Sequence, residues 1–174
     1  MRSRHLLVPL AALTFALAVT YPATAEETSA TVTVTGGTLS ITVPADASSL
    51  GTQANTVEGG TISGPLGQVQ VNDARSAAAG SGWVASVIST AFTPPSGPAI
   101  PASAVGYTAG VITKVGTATY TANNPGNLTG VAPAVTATGI TGDNSATWNP
   151  TINVTVPGGM AAGDYAATIT HSVL

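Results

Sequence analysis

The sequence predicts an all-β fold, a single β-sandwich of Ig-like or Greek-key type, with a closed β-barrel as the alternative. Three observations predict it. Apolar and polar residues alternate with period two in segment after segment, which is the pattern of a strand with one buried face. Clusters of Gly, Pro, Asn and Asp separate these segments at roughly ten-residue intervals, as in sandwiches. Beyond the first 25 residues no window carries a helical period, and the abundant Thr and Val are β-branched residues that favour strands.

Taken in order, residues 1–25 read as a secretory signal peptide. Arg2 and Arg4 form a basic start, the run from Leu6 to Val19 is apolar apart from Pro9 and Thr14, and Ala23, Thr24 and Ala25 form an A-x-A exit before Glu26 and Glu27. The apolar run is short for a membrane span of about 20 residues. Cleavage leaves 26–174 as one domain, free of any further stretch of spanning length. Segment 31–35 alternates, with Val32 and Val34 on one face. Gly36 and Gly37 then signal a two-residue hairpin into 38–43, where Leu39, Ile41 and Val43 alternate inward. Segment 68–72 repeats the pattern. Segment 83–92 is apolar on both faces and reads as a central strand. Shorter strands are expected over 104–107, 110–114 and 117–121. Segment 151–156 alternates cleanly, and 165–174 closes the chain with Tyr165, Ala167, Ile169, His171 and Val173 on one face. Glu58–Gly59–Gly60, Gly64–Pro65, Gly142–Asp143–Asn144 and Pro157–Gly158–Gly159 are among the expected turns.

Charge narrows the function classes. Only 6% of the 174 residues are charged, so Thr, Ser, Asn and Gly must cover the surface. After signal cleavage Arg75 and Lys114 are the only cations, too few for the basic patch that nucleic acid requires. There is no Cys, which removes disulfide staples, thiol catalysis and zinc–thiolate sites.

The catalytic inventory is equally thin. His171 is the one histidine after the signal, and no G-x-S-x-G elbow presents a serine to it. Asp73 and Asp164 are the one pair of acids beside strands with aromatics nearby, the minimum for a glycosidase reading. Asp143 and Asn144 are too few ligands for calcium and read as a turn. The expectation is a protein with no catalytic residues, no cofactor and no metal.

One constellation stands out within 69–92. Val69, Val71, Asp73 and Arg75 form one strand, a small-residue loop follows, and Gly82–Trp83 opens the most apolar segment; the whole reads as a hairpin. Asp73 and Arg75 are two apart, hence on one face, and in so charge-poor a chain they are expected to pair. Trp83 reads as core. Trp148, between Asp143–Asn144 and Asn149–Pro150, is the candidate for a partly exposed aromatic platform.

Val69, Val71, Asp73, Arg75, Gly82, Trp83, Ser86, Val87, Phe92 and Thr93, with Gly163, Tyr165, Ile169 and Thr170 later on, resemble the WxL family of secreted Gram-positive cell-surface domains. The order of the matches spans roughly 31–174. Both signature triplets are degenerate: the first reads Trp83-Val84-Ala85, and the second lies in His171-Ser172-Val173-Leu174. The resemblance implies a β-sandwich, extracellular and associated with the cell wall, that binds peptidoglycan non-covalently, with Asp73, Arg75 and Trp83 as its motif residues; Trp148, the expected aromatic platform, joins them as a candidate binding residue. The alternative is a structural surface subunit that self-assembles or binds other surface proteins through open sheet edges.

Overall fold

The computed structural model describes residues 30–47 and 49–174; the expected signal peptide lies outside them. Residues 35–174 form a β-sandwich of two antiparallel sheets, with no closed barrel. Eight strands follow in order: β1 (Leu39–Thr42), β2 (Gly60–Pro65), β3 (Val69–Ser89), β4 (Val105–Thr108), β5 (Thr113–Ala122), β6 (Ala132–Trp148), β7 (Thr151–Val156) and β8 (Ile169–Val173). The only helical turn among the described residues is a short 3-10 segment, Ala102–Ala104. The larger sheet runs β1-β3-β6-β5, with β8 on β3 as well; the smaller runs β2-β7-β4. Alternation puts Val69, Val71, Ala85 and Val87 of β3 and Ile152 and Val154 of β7 into one apolar core between the sheets.

β3 is the spine. One of its edges pairs along β6, from Val69 opposite Trp148 to Val87 opposite Ala132. Its other edge is shared: β1 takes 70–73 and β8 takes 85–89. The hairpin expected over 69–92 is therefore not formed. Neither half of the segment pairs with the other, because the 17-residue β6 offers both halves a partner. The small residues between them become bulges instead. Ten steps along β3, from Asp73 to Trp83, match seven along β6, from Asn144 to Ala137. Ser76 (φ 53°) and Gly80 (φ 88°) absorb the excess in the left-handed region.

The expected 31–35 strand is also not formed. These residues have no strand assignment, and Val32 and Val34 are 86 and 84% exposed. Gly36 and Gly37 do not turn a hairpin; Gly37 donates its N–H to the Ala74 carbonyl, continuing β1 along β3. β3 leaves regular extended geometry at Ser76, and its pairing with β1 ends before that point. Of the expected strand 110–114 only Thr113 and Lys114 are strand; they run on through 117–121 as β5, bent at Gly116 (φ 87°). Two expected turns are strand: Gly60 and Gly64–Pro65 belong to β2, and Gly142–Asp143–Asn144 lies inside β6. β7 matches 151–156, and the final segment alternates as expected, with Ile169, His171 and Val173 inward.

Candidate functional site

The bulged stretch of β3 gathers the candidate residues. Asp73 lies opposite Asn144 in the ladder and is 1% exposed. Arg75 reaches it with two parallel bonds, Nε to Oδ1 at 2.8 Å and Nη2 to Oδ2 at 2.9 Å, a fork that fits a carboxylate edge to edge. The Arg75 backbone N–H donates to Oδ1 (3.2 Å) and Asn144 Nδ2 donates to Oδ2 (3.2 Å). Chiefly through the Arg75 side chain, the Asp73 carboxyl is held below the usual carboxylate range, against the opposing pull of burial.

Asn144 carries the network onward. Its Oδ1 accepts from the Trp83 indole N–H (3.0 Å) and from the Tyr120 hydroxyl (3.1 Å). The Trp83 and Tyr120 rings lie 5.7 Å apart, tilted by 54°, and Lys114 Nζ sits 5.9 Å from the Tyr120 ring centre. Arg75 also donates to the Gly82 carbonyl (3.2 Å), which closes the bulge on itself. Gly82 is required by space: a Cβ there would lie 2.7 Å from the Ala137 carbonyl oxygen. Asp143 receives the Ser76 N–H (2.9 Å), so it anchors the left-handed residue.

Asp73, Arg75 and Trp83 are thus brought together as expected, and Trp83 is core at 2% exposure. Trp148 is not the expected platform. It is 2% exposed, because its place in β6 opposite Val69 points it into the core, and its indole N–H donates to the Tyr107 hydroxyl (2.7 Å). That hydroxyl in turn meets His171 Nε2 at 3.2 Å. Nδ1 is buried and has no partner within the described residues. Burial pulls the His171 pKa down to about 4, and it pushes the Tyr107 phenol up against the smaller lowering effect of the Trp148 hydrogen bond.

The two acids of the glycosidase reading do not share a cleft. Asp73 is spent on Arg75, whereas Asp164 lies exposed at the mouth of a cavity that Asp73 does not line. Asn144, Tyr120 and Tyr107 are the residues missed in the sequence. Only the oddity of an Asn within an aromatic-flanked β segment could have flagged Asn144, and its Gly142–Asp143 prefix reads as a turn.

No family model matches the chain, and neither does any curated protein or solved structure.

Proposed function

We propose that the chain is an exported, non-enzymatic cell-surface module of WxL-like type, held non-covalently at the cell wall, with the outer face of the larger sheet as its peptidoglycan contact. The observation that carries this reading is a pair of cross-strand rows on that face. Ser40, Asn72, Ser145 and Val115 stand in one row, and Thr42, Gln70, Thr147 and Thr113 in the next. These rows hold hydroxyls and amides without a charge, chemistry suited to the hydroxyl- and amide-rich wall polymer. Asp73, Arg75 and Trp83 support the reading indirectly: facing inward, they build the bulged spine that presents the rows. In the degenerate first triplet, Ala85 at the Leu position is fully buried, so the change falls in packing rather than on this face.

The test is co-sedimentation of the purified protein with insoluble peptidoglycan. The protein should pellet with the wall, and Asn72→Asp combined with Thr113→Asp, which stand in different rows on strands that do not pair, should release it with little change in its unfolding midpoint. A protein that stays in the supernatant sinks the proposal. The second reading, a self-assembling subunit, draws on β5, which pairs with β6 alone and leaves Val115 67% exposed on a ten-residue strand. Light scattering that shows oligomers without wall binding would favour it.

A further inference from the structure

Apart from the Asp73 cluster, and touching the other one only at His171, a cleft of about 740 Å³ opens in the sandwich. Ile62 and Val154 come to it from the smaller sheet, Ile169 and His171 from β8, and Phe92 and Met160 from the connecting segments. Its size lies within the range of about 300–1,000 Å³ typical of small-molecule sites. The lining is more apolar than polar, and its charge is one-sided. Asp46 and Asp164 both line the cleft and are exposed, while no Lys or Arg among the described residues lines it. The imidazole of His171 adds no positive charge at neutral pH, since burial keeps it uncharged.

We infer that this cleft is a binding site for a single-tailed amphiphile whose polar end is cationic or uncharged. The apolar walls take the alkyl tail, and removing it from water is the driving force. The two carboxylates at the mouth select the headgroup: they attract an ammonium and repel a carboxylate, sulfate or phosphate. Because they are exposed, their preference is weakened by salt. The site is separate from the wall-binding rows, and its test does not depend on them.

The neutral fluorophore N-phenyl-1-naphthylamine is titrated into the purified protein and then displaced by alkyltrimethylammonium and alkyl sulfate ions of matched length, all below micelle formation. Dodecyltrimethylammonium should displace the probe about tenfold better than dodecyl sulfate at low salt. Each added methylene should tighten binding by up to about fourfold. Asp46→Asn with Asp164→Asn should abolish the headgroup preference while keeping the chain-length dependence. Both sites are exposed, so this variant is expected to fold. Ala167→Trp, which narrows the cleft, should weaken probe binding. The inference is overturned if the probe does not bind, if the sulfate competes as well as the ammonium, or if the double Asn variant keeps the preference. Probe binding that falls as protein concentration rises would seat a second copy in the cleft, which also overturns it.

Discussion

Replacing Arg75 by Ala tests the core of the bulged spine. The substitution removes both forked bonds to Asp73 and the bond to the Gly82 carbonyl. Asp73 stays 1% exposed, with the residue 75 backbone N–H and Asn144 as its remaining donors. A buried charged group losing its partner costs about 3–5 kcal/mol when nothing replaces it. Here two neutral donors remain, and the Arg75 side chain is 36% exposed, so part of its attraction is already screened by water. The expected loss is about 2–3 kcal/mol at neutral pH. In urea, with a slope of about 1.5–2 kcal/mol per molar, the midpoint should fall by roughly 1–2 M. Intrinsic fluorescence of Trp83, which joins the same network, reports the transition. The acid limb adds a second readout. A carboxyl whose folded pKa is depressed contributes stability above its unfolded value near 3.8, and that contribution disappears as pH falls through the folded value. Without Arg75 the largest lowering influence is gone and burial pushes the carboxyl up, so acid unfolding should begin at higher pH. A loss below about 0.5 kcal/mol with an unchanged acid limb would refute the assignment of Asp73 as a buried charge that needs its partner.

Asn144→Leu should cost about 2–4 kcal/mol by denaturant unfolding, since it strands the buried Trp83 N–H, leaves the Tyr120 hydroxyl only the Ser145 carbonyl at 3.4 Å, and removes one of the two donors to Asp73 Oδ2. Gly82→Ala should cost about 1–3 kcal/mol, because the new Cβ meets a backbone carbonyl that cannot yield as a side chain can. His171 has an unfolded value near 6.5 and a folded value of about 4, so the unfolded chain binds the extra proton between them. Stability is therefore full above 6.5 and declines as pH falls toward 4, by on the order of 2–3 kcal/mol once partial exposure is allowed for. His171→Phe should flatten that decline in a pH series of urea midpoints; an unaltered slope would assign it to other groups.

The alternating strands and their inward residues were legible because each follows from the two-residue period alone. β7 and the 165–174 face needed no partner to be recognised. What was hidden depended on partners distant in sequence. The residues of 76–82 are loop-like by composition, yet β6 holds them in a ladder that absorbs three surplus residues. The Gly142–Asp143–Asn144 turn signal is real locally, and Gly142 does adopt φ 69°, but the chain continues straight as a strand. Segment 31–35 has a strand's pattern and no strand, since alternation specifies a face to bury and not an edge to join. At the site, the Asp73–Arg75 pair was readable from spacing and scarcity of charge. Trp148 was misjudged because polar neighbours on either side say nothing about which face of the sheet a side chain takes, and the ladder with Val69 decides that.

The strand order also governs the time course of folding. Among the paired strands, the contacts nearest in sequence are in the β5–β6 hairpin, where Ala122 meets Val135. Every other sheet partnership joins distant segments: Leu39 with Asp73, Gly60 with Val156, Ala85 with Val173. Loop closure must precede each of these, so the chain belongs with the slow, high-contact-order folders that take about milliseconds to seconds. The β5–β6 hairpin is the one piece able to form early, and it offers β6 as the template on which β3 must then find its bulged register. β1 and β8 can add only after β3 is in place, so the two ends of the sandwich are the last parts to become protected from hydrogen exchange.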